Sequence, residues 1–261
     1  MSRRGSVTTM AIQTSIENGL GRVVLSNPPV NILTRAIMAS LREELAALAA
    51  ESSLRALLLS AEGKHFSAGA DVGEHLPPTY EDLIPEFIDT ISAIDTFPLP
   101  VVAAVQGKCL GGGFELVMAA DIIVAGESAS FGQPEIMLGV LPPAACALLP
   151  DMCPRGVAAE LVFTGDALSA QEAERAGLVR HVVPDVELES AAVELAGRMT
   201  RHSAAALRIA KRMLRGGREA ARADALSRAG EMYVDALMRT KDALEGLQAF
   251  LEKRKPTWSH E

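Results

Sequence analysis

Two glutamates in the middle of this chain, Glu115 and Glu135, have the residue type and the surroundings that proton transfer requires. Glu115 follows the glycine run at 111–113, which itself comes after the apolar run at 101–105. Glu135 follows a turn-forming Gln-Pro pair that comes after a second apolar run, at 122–125. Carboxylates that neighbouring loops bring together can act as an acid/base pair. We therefore expect these two residues to do chemistry next to a carbonyl group.

The glycine run also predicts a site for negative charge on oxygen. A strand, a tight glycine turn and a helix start would leave N–H groups free at residues 112 to 114, and these groups suit a developing oxyanion. The sequence patterns of a dinucleotide fingerprint, a P-loop and a nucleophile elbow are missing here. Structural alternatives stay open: the glycines can serve close strand–helix packing, and Glu115 can complement the helix dipole. Glu135 is either a turn carboxylate or a partly desolvated acid with a raised pKa.

A third segment with functional potential is the loop at 65–71, His-Phe-Ser-Ala-Gly-Ala-Asp. It follows the apolar run at 54–60, which predicts a strand, and ligands in open α/β sheets bind at the carboxyl ends of strands. Its small residues allow a ligand to approach the backbone closely, and the N–H of Ala70 is a candidate donor. The alternative is an ordinary strand-to-helix turn, in which His65 is a loop histidine without a catalytic role.

Composition excludes several classes of protein. The chain has 261 residues, 49% hydrophobic content, a formal net charge of −8 and a pI near 5.3. A chain of this length can bury a large core, and its acidity argues against a nucleic-acid partner. The three cysteines lack metal-ligand partners at suitable spacing, and no run is long enough to span a bilayer. We expect a cytoplasmic protein without a secretory signal, whose residues 1–10 form a flexible leader.

The order of predicted elements indicates an α/β core followed by helices. A hairpin is predicted over 11–26 with its turn at Asn18-Gly19, and Thr34 is the expected N-cap of the next helix. Strands at 54–60, 101–105 and 122–124 then alternate with helices, which implies parallel strands and right-handed crossovers. After Pro184 the pattern predicts only helices, three of them, whose ends are marked by Ser203, Gly216-Gly217 and Thr240. We expect a core at 11–195 and a helical region at 196–261, which covers its own core, a neighbouring subunit, or both.

The same segments, taken together, resemble the enoyl-CoA hydratase/isomerase (crotonase) superfamily over nearly the whole chain. The resemblance rests on four segments in the first three-quarters of the chain and on the final helix. These segments are Phe66-Ser67-Ala68-Gly69-Ala70-Asp71, the run from Gly107 to Glu115, Ala120-Asp121, Phe131-Gly132-Gln133-Pro134-Glu135, and the run from Ala249 to Arg254.

The resemblance implies a ββα spiral core with a helical C-terminal region, assembled as trimers or dimers of trimers. It implies an oxyanion hole formed by the N–H groups of Ala70 and Gly112, with Glu115 and Glu135 as the two glutamates that position and ionise one water. Because many isomerases and hydrolases of the superfamily lack one glutamate of the pair, the presence of both favours hydration. The implied substrate is an acyl-CoA, and no metal, nicotinamide or other cofactor is implied. The residues implied to bind substrate and CoA are Ser67, Ala68, Asp71, Val72, Phe250 and Lys253.

Two departures from the hydratase pattern bear on the substrate. Gly73 stands where a typical hydratase has a lysine, which removes one contact to a CoA phosphate. The glycine-rich stretch that lines the acyl pocket is replaced by residues 141–146, so that Leu141, Pro143, Ala144 and Ala145 are expected to form the pocket wall. This segment, with 74–77 and 233–254, is similar to the cyclohexa-1,5-diene-1-carbonyl-CoA hydratases. The expected activity is hydration of a cyclic dienoyl-CoA; the alternatives are a Δ-isomerase, a thioester hydrolase or a non-catalytic acyl-CoA-binding relative.

Overall fold

The computed structural model describes residues 11–216 and 218–261, so the expected leader at 1–10 and Gly217 lie outside the described residues. Nine strands are found in these two ranges. They are β1 (Ile12–Glu17), β2 (Leu20–Leu25), β3 (Ala56–Ala61), β4 (Val101–Val105), β5 (Lys108–Leu110), β6 (Ile122–Gly126), β7 (Ser130–Gly132), β8 (Ala167–Ser169) and β9 (His181–Val183). The predicted hairpin and the three predicted longer strands are all present, with bounds that differ by a few residues at most.

The main sheet has six strands in the order β1-β2-β3-β4-β6-β9. The hairpin β1–β2 is antiparallel, and its turn places Asn18 and Gly19 at positive φ. From β2 onward every neighbouring pair is parallel. Along β3, Leu57 and Leu59 face one hydrophobic cluster while Ala56 and Leu58 face another, so this strand is buried on both faces as its continuous apolar sequence predicts.

Ten α-helices pack around the two sheets in the described part of the chain. They are α1 (Arg35–Ala50), α2 (Tyr80–Asp95), α3 (Gly112–Met118), α4 (Pro143–Met152), α5 (Arg155–Thr164), α6 (Ala170–Arg175), α7 (Leu188–Thr200), α8 (Ala204–Arg215), α9 (Glu219–Asp235) and α10 (Lys241–Leu251). The hydroxyl of Thr34 accepts a hydrogen bond from the N–H of Ile37, so Thr34 is the predicted N-cap of α1.

A small second sheet, in the order β5-β7-β8, positions the loops that matter for function. Strands β5 and β7 are parallel, and β7 and β8 are antiparallel. The loop at 65–71 lies along the edge of this sheet, since Ser67 pairs with Cys109 of β5 in an isolated bridge. A second isolated bridge joins Ala70 of the loop to Leu33, just before α1. The segments around Gly111 and Glu135 both leave this sheet, at the ends of β5 and shortly after β7. Two segments that are 24 residues apart in sequence therefore reach the same place.

The C-terminal third contains four helices in the described residues, and not the three that the sequence predicts. Ser203 and Thr240 are N-caps as expected, and Gly216 ends α8 in the left-handed conformation. Helix α7 packs on the main sheet through Leu188, Ala192 and Ala196. The expected boundary between residues 195 and 196 therefore falls inside a helix that belongs to the core.

The last helices pack on the core of their own chain. Helix α9 packs against α2 and α4, and α10 packs against the short 3₁₀ helix Pro134–Leu138. The C-terminal helices thus lie next to the segment that carries Glu135. Among the described helices, none combines the length and the apolar character needed to cross a bilayer.

Candidate active site

The turn between β5 and α3 places Glu115 inside the protein. Gly111 is the N-cap of α3 with φ +51°, a conformation that side chains other than glycine rarely adopt. Its carbonyl accepts hydrogen bonds from the N–H groups of Phe114 and Glu115, at 2.8 and 2.9 Å. A side chain at position 111 would also collide with the carboxylate of Glu135. The glycine is therefore required both by the turn and by the approach of the second carboxylate.

Glu115 is 2% exposed, and the start of α4 supplies a hydrogen bond to its carboxylate. The N–H of Ala145 donates to Oε1 of Glu115 at 2.9 Å. The N–H groups in the first turn of a helix have no carbonyl partner within the helix. In α4 the first residue is Pro143, which has no N–H, so the residues that follow it supply the free donors. Burial nevertheless dominates, and it raises the pKa of Glu115 from 4.5 to about 7. This carboxyl group can therefore gain or lose a proton near neutral pH.

Glu135 lies in the 3₁₀ helix Pro134–Leu138, and its carboxyl group faces the same cavity as Glu115. Its Oε2 atom is buried and has no hydrogen-bond partner among the described residues. Burial and, to a smaller extent, the charge of Glu115 hold the pKa of Glu135 well above its ordinary value. The two carboxyl groups are close enough for the charge of Glu115 to oppose ionisation of Glu135.

The backbone N–H groups of Ala70 and Gly112 lie close together, and both residues line the same cavity as the two glutamates. A Cβ atom at Gly112 would lie 3.3 Å from the nitrogen of Ala70 and 3.1 Å from the ring of Phe87, so the two chain segments are in close contact. Gly112 is the first residue of α3, where an N–H has no partner within the helix. The N–H groups of Ala70 and Gly112 donate no hydrogen bond to the other described residues. This is the arrangement that an oxyanion hole requires.

The loop that carries Ala70 is held by hydrogen bonds from beneath. The hydroxyl of Ser67 donates to the carbonyl of Asn31 at 2.8 Å and accepts from the N–H of Gly69 at 3.1 Å. Asn31 in turn donates to the carbonyl groups of Glu62 and His65. The carboxylate of Asp71 accepts from the N–H of Gly73 at 2.7 Å. Ser67 and Asp71, expected to bind substrate, are therefore engaged in bonds that shape the loop.

A cavity of about 80 Å³ is lined by Glu115 and Glu135 and by the two residues with free N–H groups, Ala70 and Gly112. Four polar side chains contribute to its wall, those of Glu115, Glu135, His75 and Tyr233. The remaining wall is apolar and comes from α2, α10 and the segments around residues 70, 112 and 140. The apolar residues are Ala68, Gly69, Ala70, Val72, Leu83, Ile84, Phe87, Gly111, Gly112, Pro134, Leu138, Val140, Leu141, Pro143 and Leu247.

The expected wall residues divide into two groups. Leu141 and Pro143 line the cavity, and so do Ala68 and Val72 of the loop. Ala144 and Ala145 do not line it; both are fully buried in the first turn of α4, behind Glu115. Their contribution is the backbone N–H of Ala145 that binds Glu115. A sequence cannot distinguish a small residue that lines a pocket from one that supports the residue lining it.

Phe250 and Lys253, expected at the CoA moiety, lie away from this cavity. Phe250 is 53% exposed at the end of α10, and Lys253 is exposed just beyond it with φ +56°. Sequence analysis did not assign His75 or Tyr233 to the site. The His75 ring lies 6.1 Å from that of Tyr233, and its Nδ1 lies 2.8 Å from the carbonyl oxygen of Asp71. Both residues lie in segments, 74–77 and 233–254, that carry the subfamily resemblance, but their sequence does not show that α9 brings Tyr233 to the cavity.

Comparison with known proteins finds relatives among the enoyl-CoA hydratases. A model of the enoyl-CoA hydratase/isomerase family matches residues 15–261. The chain is 37% identical over 252 residues to cyclohexa-1,5-dienecarbonyl-CoA hydratase of Thauera aromatica, with 94% of each chain covered. It is 38% identical over 232 residues to 2,3-dehydroadipyl-CoA hydratase of Escherichia coli K12, which covers 87% of this chain and 89% of the relative.

Solved structures show the same fold. The enoyl-CoA hydratase/isomerase of Pseudoalteromonas atlantica T6c superposes with a TM-score of 0.88 at 29% identity, covering 95% of this chain and all of the other. The enoyl-CoA hydratase of Bacillus anthracis gives a TM-score of 0.77 at 33% identity, covering 96% of this chain. The expected crotonase-like α/β fold is confirmed, and the chain belongs to the enoyl-CoA hydratase/isomerase family.

Proposed function

We propose that this protein is an enoyl-CoA hydratase that adds water to an α,β-unsaturated CoA thioester. The observation that carries the proposal is the pair of buried carboxyl groups that face one cavity beside two free backbone N–H groups. An isomerase needs one group that moves a proton between carbons. Hydration needs one group to take a proton from water and another to give a proton to carbon, which fits a pair with different pKa values.

In the proposed reaction, Glu115 takes a proton from water as the water oxygen bonds to the carbon at the far end of the conjugated system. The electrons of the double bond move to the thioester oxygen, and the N–H groups of Ala70 and Gly112 stabilise the enolate. Glu135 then protonates carbon, and the thioester carbonyl forms again. We assign the base to Glu115 because the N–H of Ala145 donates to its carboxylate and thereby favours the charged form. A proton that passes from Glu115 back to Glu135 restores the starting state.

The proposed addition of water involves no net oxidation or reduction, so it requires no redox cofactor. The carboxyl groups and backbone donors supply both the proton transfers and the electrostatic stabilisation, and we propose that no metal takes part. The proposed substrate is an acyl-CoA, and we place the enzyme in the cytoplasm.

We further propose that the acyl group is a cyclic 1,5-diene. The Thauera aromatica relative is named for such a substrate. The Escherichia coli relative is named for 2,3-dehydroadipyl-CoA, whose acyl chain ends in a second carboxylate. Among the described residues that line the cavity there is no Lys or Arg to bind that charge, and the apolar wall fits a hydrocarbon ring better. The volume of about 80 Å³ is below the ~150 Å³ of a cavity that holds benzene, so wall side chains must move outward when a ring binds.

The CoA moiety is proposed to involve a second copy of the chain. Phe250 and Lys253 lie outside the cavity of their own chain, as expected if they reach the CoA bound to a neighbouring subunit. Large apolar side chains are exposed on several helices, among them Phe163 at 74% and Leu214 at 89%. Exposed apolar surface of this kind supports a homo-oligomer, which we propose to be a trimer or a dimer of trimers.

A panel of CoA thioesters tests the proposal. Loss of the absorbance of the conjugated thioester would be followed with cyclohexa-1,5-diene-1-carbonyl-CoA, cyclohex-1-ene-1-carbonyl-CoA, crotonyl-CoA and 2,3-dehydroadipyl-CoA. We expect kcat/KM for the cyclic diene to exceed that for crotonyl-CoA by at least ~10-fold, which is about 1.4 kcal/mol of selectivity. Equal or greater activity on crotonyl-CoA would contradict the cyclic substrate. Release of free CoA, or double-bond migration without water uptake, would contradict hydration itself.

A further inference from the structure

The hydroxyl group of Tyr233 is a buried polar group that the proposed reaction does not use. Tyr233 is 1% exposed and lines the cavity with Glu115 and Glu135. Its hydroxyl has no hydrogen-bond partner among the described residues. A buried hydroxyl without a partner costs free energy, and buried polar groups in native proteins are nearly always paired. A group that enters the cavity is therefore the expected partner.

Tyr233 keeps its hydroxyl proton in this environment and is therefore available as a hydrogen-bond donor. Burial, together with the charges of Glu135 and Glu115, raises the pKa of its hydroxyl well above its ordinary value. The group therefore keeps its proton and is unsuited to act as a base. As a fixed O–H donor it suits an acceptor oxygen that lies close to the two carboxyl groups.

His75 supplies a matching acceptor on the same side of the cavity. Its Nδ1 lies 2.8 Å from the carbonyl oxygen of Asp71, and because a carbonyl can only accept, Nδ1 carries the proton. Burial lowers the pKa of His75, so the ring is neutral and Nε2 keeps a free lone pair. The rings of His75 and Tyr233 are 6.1 Å apart, so a donor and an acceptor lie close together beside the carboxyl groups.

A hydroxyl group is the chemical partner of a donor and an acceptor, since it both accepts and donates one hydrogen bond. The unsaturated acyl group has no such oxygen, whereas the hydrated product has one, on the carbon β to the thioester. We propose that Tyr233 donates a hydrogen bond to the oxygen that water brings to the acyl group, with Nε2 of His75 accepting from the same hydroxyl. Tyr233 is thus a positioning residue for water and a specificity residue for the hydroxylated thioester. This inference rests on the proposed function.

Binding of two thioesters that differ only in one hydroxyl group tests this assignment. Calorimetric titration would compare 2-hydroxycyclohexane-1-carbonyl-CoA with cyclohexane-1-carbonyl-CoA, both in a Glu115→Gln background that prevents turnover. Tyr233→Phe should weaken binding of the hydroxylated thioester by about 5- to 15-fold and leave the other within about twofold, as for one lost hydrogen bond. The control is Tyr80→Phe, which changes the only other tyrosine of the chain, a residue that does not line the cavity; it should affect neither ligand.

Thermal unfolding gives a second readout that separates this role from a structural one. Removal of an unpaired buried hydroxyl should leave the Tm of Tyr233→Phe equal to or above that of the wild type. Equal weakening of both thioesters, no weakening of either, or a clear loss of Tm would overturn the assignment. If the wild type hydrates substrates of the panel while these differences are missing, this inference alone fails. If it hydrates none, the proposed function fails and the inference with it.

Discussion

The two carboxyl groups of the site are held in environments that make them unequal. Glu115 has the N–H of Ala145 as a donor, whereas Oε2 of Glu135 is buried without a partner. A hydrogen bond to the charged form lowers a carboxyl pKa, and burial raises it. Both groups are buried, so the difference between them comes from the N–H donors at the start of α4 and from the charge of Glu115, which acts on Glu135. The hydrogen bond from α4 favours the charged form of Glu115 and so supports its proposed role as the base.

Replacement of either carboxyl group should abolish most of the turnover. Glu115→Gln and Glu135→Gln keep the shape of the side chain but cannot transfer the proton, so kcat should fall by at least ~10²-fold. Affinity for a saturated acyl-CoA should change little. Glu160→Gln, on the exposed side of α5, is the matched control and should behave as the wild type. A variant of Glu115 or Glu135 with near-normal kcat would show that the residue has no part in proton transfer.

The raised pKa of Glu115 also predicts how stability depends on pH. Its pKa is about 7 in the folded protein against 4.5 as the ordinary value, so folding is favoured below about pH 4.5 and this contribution is lost as pH rises through 7. The difference between the two pKa values corresponds to about 3 kcal/mol in the free energy of unfolding. Glu115→Gln cannot ionise, so its Tm should exceed that of the wild type at pH 8, and the gap should shrink at pH 5. A gap that is the same at both pH values would contradict the shift.

Sequence alone can select the two glutamates as candidate site residues, but it does not reveal the other two polar side chains of the cavity, His75 and Tyr233. A carboxylate among apolar residues is conspicuous, so Glu115 and Glu135 stand out in their segments. His75 and Tyr233 do not, because a tyrosine on the apolar side of a helix has the same sequence pattern whether it fills the core or lines a cavity. That distinction depends on which helix packs over the site, and this is decided by contacts between distant parts of the chain.

At the scale of elements, the start of α3 is the part that the proposed oxyanion hole requires. Gly112 is the first helical residue, a position that accepts proline, so Gly112→Pro removes the N–H with a backbone compatible with the helix. Any side chain here approaches Phe87 and the nitrogen of Ala70. Gly112→Ala introduces that Cβ and keeps the N–H, which makes it the matched control.

The comparison of these two variants isolates the effect of the Gly112 N–H group on kcat. We expect Gly112→Pro to lose about 10²–10³ in kcat relative to Gly112→Ala, or roughly 3 kcal/mol in the transition state, as for one oxyanion donor. Circular dichroism would first establish that both variants are folded. Equal kcat values for the two variants would remove Gly112 from the oxyanion hole.

Long elements were easier to predict than short ones. β3 and β4 have continuous apolar sequences, and α1 has a cap and helical periodicity, so their positions follow from the chain itself. The second sheet was not predicted, because β5, β7 and β8 have three residues each and no periodicity can be seen over that length. Yet this sheet brings Gly111 and Glu135 together. The element that matters most for the site thus has the weakest sequence signal.

At the scale of the whole molecule, a network of charges around the buried Asp95 ties the C-terminal helices to the core. Asp95, at the end of α2, is 3% exposed and pairs with Arg215 of α8 at 2.9 Å and Arg222 of α9 at 2.6 Å. Asp121 pairs with Arg215 and with Lys211, whose ammonium group also donates to the carbonyl of Leu99. Since α9 carries Tyr233 into the cavity, this network connects the fold of the C-terminal region to the shape of the site.

Removal of Asp95 from this network should destabilise the protein and the site together. Asp95→Asn leaves Arg222 without its charged partner and weakens the binding of Arg215, and breaking a buried pair costs about 3 kcal/mol or more. For a chain of this length that lowers Tm by about 6–12 °C. Asp235→Asn, which breaks the exposed pair with Arg239 on the solvent side, is the matched control and should leave Tm nearly unchanged. Because Arg222 lies on α9, kcat of Asp95→Asn should also decline at temperatures below its Tm. A Tm equal to that of Asp235→Asn would show that the network does not hold the helices in place.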